Sequence, residues 1–149
     1  MTLPLSLRLE LRWVTWTLPR LVHRLPLTHL LADMTPSREA ARWQRPPQEI
    51  VEAVKAALAR PFRMRGRRCL REGLAAFHFL RKGGHPAVLH FGVDRRSTRS
   101  KKLRGHCWIS LEGQVVLNGP APEFVELFVY RGQPLPQPEV GRPAAAFGL

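Results

Sequence analysis

Residues 67–84, Arg67-Arg68-Cys69-Leu70-Arg71-Glu72-Gly73-Leu74-Ala75-Ala76-Phe77-His78-Phe79-Leu80-Arg81-Lys82-Gly83-Gly84, read as one helix that begins at or just before Cys69 and stops at the glycine pair. Leu70, Leu74 and Phe77 recur at helical spacing and form a core stripe. Gly83 is expected to take the left-handed position after a last turn carrying Arg81 and Lys82. Cys69 stands where unsatisfied N–H groups and the helix dipole favour a thiolate, and Arg67, Arg68 and Arg71 push the same way. A thiolate is a nucleophile, so this placement suits covalent catalysis. It also suits a buried structural cysteine, and the helix alone does not choose between them.

Upstream, Gln48–Arg60 is a second helix with Ile50, Val51, Val54, Ala57 and Leu58 on one side and Glu49 and Glu52 in its first turns. Residues 33–47 read as a linker with a short helical turn started by Ser37. Residues 3–25 fit two periods. Leu3, Leu5, Leu7, Leu9 and Leu11 alternate like a strand, whereas Leu7, Leu11, Val14, Leu18, Leu21 and Leu25 follow a longer helical stripe. The helix is favoured, with Trp13 and Trp16 widening its apolar face and Pro19 kinking or splitting it. Charges interrupt it too often for a membrane span, and it lacks the organisation of a signal peptide. Packing on the core, docking to a partner and lying on a membrane all remain open for it.

Downstream the period changes to two. Pro86–Val93 is a short strand with His90 facing away from Leu89 and Phe91, and 94–102 is an exposed basic loop. Leu103–Leu111 and Gln114–Asn118 form a hairpin through the Glu112-Gly113 turn. Phe124–Tyr130 reads as a further short strand or helical turn. From Gly132 the Pro- and Ala-rich end reads as a poorly ordered tail. Helices followed by hairpin strands give an α+β fold, with helices on one side of a small antiparallel sheet. The expected divisions are a helical region and linker over 1–46, a core over 47–131 and a tail over 132–149.

The chain has 149 residues and a net charge of +13. Twelve of its 24 basic residues fall in two short windows, 60–71 and 95–104, that flank the candidate active site. Such a surface suits an acidic peptide or another polyanion. Nucleic acid is a poorer match, because the windows lack interleaved aromatic residues for stacking on bases. Two cysteines are too few for a disulfide framework, so a reducing cytoplasm is the default compartment.

The chemistry is expected at Cys69, His106 and Asn118. An imidazole deprotonates the thiol, and a third group holds the imidazole by its other nitrogen. His106 and Asn118 lie near the same hairpin. Each also has a plainer reading, His106 as a half-buried strand residue and Asn118-Gly119 as a turn pair. A zinc site from Cys69, His106 and Cys107 is the weakest alternative, since no metal-ligand spacing is present and adjacent strand residues face opposite ways.

The stretch RRCLREGLAAFHFLRKGGHPAVLHFGV, followed by GHCWISLEGQVVLN, resembles the transglutaminase-like cysteine peptidases that remove leaders in lasso-peptide biosynthesis. The likeness lies in the Cys-Leu helix start, the basic-Gly helix end, the Pro-Ala strand closing in Gly-Val, and the His-x-Trp strand before an acidic-Gly turn. It covers about residues 67–118. It implies a papain/transglutaminase-like fold with Cys69 as nucleophile, His106 as base and position 118 as the orienting residue. The family usually has Asp there, so Asn118 departs from it, as do Gly73 in place of Ser and Cys107 in place of Ala. The resemblance implies a precursor peptide as substrate, and a small leader-recognition protein and an ATP-dependent lasso cyclase as partners. It implies no metal and no cofactor. A transglutaminase or amidase would use the same triad. Asp94, where the preceding strand ends, is the next candidate for orienting His106.

Overall fold

The computed structural model describes residues 3–37, 44–59 and 67–132. The order of elements is α1 (Leu5–Arg24), α2 (Leu27–Asp33), α3 (Pro47–Leu58), α4 (Arg68–Lys82), β1 (Ala87–Asp94), a 3-10 turn (Arg95–Arg99), β2 (Gly105–Leu111), β3 (Gln114–Leu117) and β4 (Phe124–Tyr130). The four strands form one antiparallel sheet in the order β3-β2-β1-β4. This is the expected α+β arrangement.

α4 is the central helix. Every residue from Arg71 to Leu80 is buried, since the helix lies against β1 and β2 on one side and α1 and α3 on the other. A helix enclosed in this way must be apolar over most of its circumference, and Leu74, Ala75, Ala76, Phe77, Phe79 and Leu80 supply that. Its end departs from the expectation. The left-handed residue is Gly84 (φ 82), whereas Gly83 keeps φ −75. Gly83 is required for a different reason: a Cβ there would come within 2.8 Å of Ile50 Cδ1 on α3.

α1 runs unbroken through Pro19, so the proline does not divide it. Leu7, Leu11, Val14, Leu18 and Val22 are its buried face. Glu10 ties it to α4 through His78 (3.3 Å) and Lys82. α2 was not expected; it fills part of the segment before the linker and buries Leu30 and Leu31. Pro47 occupies the first turn of α3, where the N–H it lacks would have no helical partner. Glu112 (φ 48) and Gly113 (φ 83) make the β2–β3 turn with two left-handed residues, the geometry that matches strand twist. The expected loop after β1 is partly a 3-10 turn. Asp94 caps it by accepting from Arg96 N–H at 2.8 Å, and buried Ser97 donates to the Asp94 carbonyl at 2.7 Å. Phe124–Tyr130 is a strand. The expected tail from 133 onward, the middle of the linker (38–43) and the basic run 60–66 lie outside the described residues.

Gly73 sets the distance between α4 and the sheet. A Cβ at this position would sit 2.9 Å from Cys107 Sγ and 3.1 Å from Leu89 Cδ1. The large residue of the pair is therefore Cys107 and the small one Gly73. Gly73→Ala gains about 1 kcal/mol of helix propensity but overpacks this contact at a cost of about 1–3 kcal/mol. Removing the sulfur with Cys107→Ala should relieve the clash. Urea melts of both single variants and the double variant should give a favourable coupling of about 1–2 kcal/mol. Strict additivity would show that the contact is not tight.

Candidate active site

Cys69 is the second residue of α4 and is only partly buried. The turn that presents it begins at Arg67, a non-glycine residue in the left-handed region (φ 53), whose guanidinium donates to the Val22 carbonyl at 3.2 Å. α1 thus anchors the start of the helix that carries the cysteine. The helix bonding of α4 begins with Arg71 N–H on the Arg67 carbonyl, so the N–H groups of Arg68, Cys69 and Leu70 precede the first helical acceptor and suit an anionic group beside Cys69.

β2 brings His106 and Cys107 to the same place from consecutive positions. Pairing of Gly92 with His106 and of Phe91 with Cys107 fixes them opposite β1. Cys69, His106 and Cys107 line one open cleft of about 410 Å³, together with Arg67, Leu27 and Leu103. Among the described residues, no group of three or more His, Cys, Asp or Glu is placed to hold a metal ion.

The electrostatics favour an ionised Cys69. Its thiol is pulled from an ordinary 9.0 to about 5, first by the hydrogen bond from the Cys107 side chain. Burial opposes this, while the Cys107 N–H and the His106 ring lower the value further. Cys107 is pushed strongly the other way, by the neighbouring Cys69 and by burial, and so remains a thiol. That thiol has one proton and two acceptors in reach, the Cys69 carbonyl at 2.8 Å and the Cys69 sulfur. A charged acceptor holds a proton donor more strongly, so ionisation of Cys69 draws the S–H toward the sulfur. From its strand position Cys107 reads as an inert core residue. It is in the core, but it is not inert: it is the leading cause of the low Cys69 pKa.

His106 is held by Asn118, though not in the expected way. The ring Nε2 lies 2.8 Å from the Asn118 main-chain carbonyl. This leaves Nδ1 as the ring nitrogen available to Cys69. The Asn118 side-chain nitrogen is buried with no hydrogen-bond partner, and the residue is left-handed (φ 53). Asparagine tolerates that backbone better than most residues, which turns its carbonyl toward the ring. Asp94 points elsewhere. Its carboxylate serves Arg96 N–H and pairs with Arg104 at 3.3 Å. The identity of the side chain at 118 should therefore matter little. Asn118→Ala is expected to keep kcat within about threefold, or about 0.7 kcal/mol, because the carbonyl stays. A hundredfold loss would instead give the orienting role to the side chain.

Sequence reasoning missed the wall behind His106. Its ring lies between Phe124 (centroids 5.0 Å) and Trp108 (6.1 Å). The indole in turn stacks on His90 at 5.4 Å and 4°. His90 is fixed at both nitrogens, by Ser110 at 2.7 Å and Glu126 at 2.6 Å. Gly92 makes room for the indole, since a Cβ would meet its ring at 2.9 Å. The alternation of β2 put Trp108 on the face of His106, but no local signal shows that His90 and Gly92 support it across the sheet.

The sequence model of the Transglutaminase-like superfamily matches residues 5–129, from the first turn of α1 to the end of β4. No matching curated protein and no matching solved structure was found.

Proposed function

Because the chain belongs to the transglutaminase-like superfamily, whose members are generally catalytic and fit a papain-like fold, we propose that it is a cysteine peptidase. Its substrate in this reading is a ribosomally made lasso-peptide precursor, from which it removes the leader. The observation that carries the chemistry is a Cys69 thiol lowered to about 5 beside His106 at a helix start, in an open cleft. The Cys69 thiolate attacks the scissile carbonyl, and the oxyanion that forms lies against the first-turn N–H groups of α4. The C–N bond breaks as His106 gives its proton to the leaving amine. Water then loses a proton to His106 and attacks the thioester, releasing the new carboxylate and restoring the thiolate.

The choice of precursor rests on the sequence resemblance and on charge. Arg95, Arg96, Arg99, Lys101, Lys102 and Arg104 are exposed on the segment that leads through Leu103 into the cleft, and they suit an acidic leader. A small leader-recognition protein and an ATP-dependent cyclase are the partners in this reading. The test is to incubate the chain and a precursor peptide with the recognition protein, and separately with an added primary amine. Two separate fragments, the leader ending in a new carboxylate and the core beginning with a new amine, are expected by mass, with or without the added amine. A product carrying the amine on a glutamine side chain would make the chain a transglutaminase, and an intact precursor would remove the leader-peptidase reading.

A further inference from the structure

We propose that the outer face of α1 seats the protein on an anionic lipid surface. The buried face of this helix is already spent on the core, yet four large apolar side chains point the other way: Leu5 (69% exposed), Leu9 (57%), Trp13 (64%) and Trp16 (56%). Their spacing places them on one stripe about 16 Å long at 1.5 Å per residue. Scattered exposed leucines are ordinary, but an aligned Leu-Leu-Trp-Trp stripe on one helix marks a contact surface.

The charges beside the stripe identify the occupant. Arg8, Arg12, Arg20 and Arg24 are exposed along the same helix. Its only carboxylate, Glu10, is turned inward to His78 and Lys82. Arg20 lies over the Trp16 ring at 4.2 Å, which keeps an arginine and an indole side by side at the surface. A second copy of the chain would bring arginine against arginine, so self-association along this face is opposed. Indole rings at the level of the headgroups, leucines in the acyl boundary and arginines on lipid phosphates satisfy all three residue types together. No helix of the described residues is long and apolar enough to cross a membrane, and a helix lying flat has no need to be. Val22 at the end of α1 holds Arg67 beside Cys69, so the bound face and the cleft share one rigid element. The inference does not depend on the peptidase reading.

The experiment is co-sedimentation of the full chain with vesicles of phosphatidylcholine alone and of equal phosphatidylcholine and phosphatidylglycerol, with tryptophan emission recorded. Binding to the anionic vesicles with a blue shift, and at least tenfold weaker binding to the neutral ones, is expected at physiological salt. Trp13→Ser with Trp16→Ser should weaken anionic binding at least tenfold while thermal unfolding and Cys69 alkylation stay unchanged. Arg8→Glu with Arg12→Glu should do the same through charge. Absence of binding to anionic vesicles would overturn the proposal. So would binding that survives the tryptophan changes, which would be adsorption through the basic segments elsewhere. A dimer in solution that the tryptophan changes dissolve would overturn it too, by making the stripe an interface between copies.

Discussion

On the proposed peptidase reading, replacing Cys69 by alanine is expected to lower precursor cleavage by about 10⁴-fold or more. The substitution deletes the atom that forms the thioester, and no other described group can stand in for it. Cys107 is the nearest sulfur, but the Cys69 contact and burial keep it a thiol, and the residue is only 1% exposed. The fold should tolerate the change, because Cys69 lies at the edge of the core in the first turn of α4. Precursor turnover followed by mass, alongside a thermal melt, separates the two effects. Turnover near the wild-type rate in a folded Cys69→Ala protein would place the chemistry elsewhere.

His106→Ala should cost about 10³-fold in turnover, within the range for a general acid–base group. The loss should come mainly from proton transfer and less from the thiolate. Removing the ring takes away one of the groups that lower the Cys69 pKa, but the leading one, the Cys107 thiol, remains. Cys69 starts from about 5, so a moderate rise still leaves much of it ionised at pH 7. Iodoacetamide alkylation at neutral pH should therefore fall only a few-fold while peptide turnover collapses. Equal losses in both measurements would mean that His106 acts by creating the thiolate, as an ion-pair partner.

Cys107→Ala moves the same balance from the other side. It removes the largest lowering influence, so the Cys69 pKa rises. The acid limb of the rate profile should shift toward higher pH, with activity largely kept at pH 8 and reduced near pH 6. An unmoved acid limb would show that the Cys107 thiol does not reach the thiolate.

The helix that carries Cys69 was legible because its signals are local: an apolar stripe, basic residues in the last turn and two glycines. Which glycine takes the left-handed backbone was not, since Gly83 is needed for clearance from Ile50, a contact made by a helix twenty residues or more away in sequence. The hairpin was legible from Glu112-Gly113 between alternating strands. α2 was hidden because its seven residues are too short for periodicity to develop. For residues 3–25 the pattern indicated a helix, but only the packing shows which face is covered and which leaves Trp13 and Trp16 outside.

At the site, residue type pointed to Cys69, His106 and position 118. The contact at 118 runs through the main chain, however, and every residue has a carbonyl, so no side-chain pattern could reveal it. Cys107 shows the same limit. Strand alternation turns it toward the core, and only the docking of α4 on β2 shows that this core position lies under the nucleophile.

The most direct test needs no substrate. The rate of iodoacetamide attachment to Cys69, read by peptide mapping from pH 4 to pH 10, reports the thiolate fraction itself. A midpoint at about 5 is expected, with Cys107 unlabelled while the protein is folded. A midpoint near the ordinary value of 9.0 would contradict it, because Cys69 would then be a common thiol at a helix end and not a prepared nucleophile.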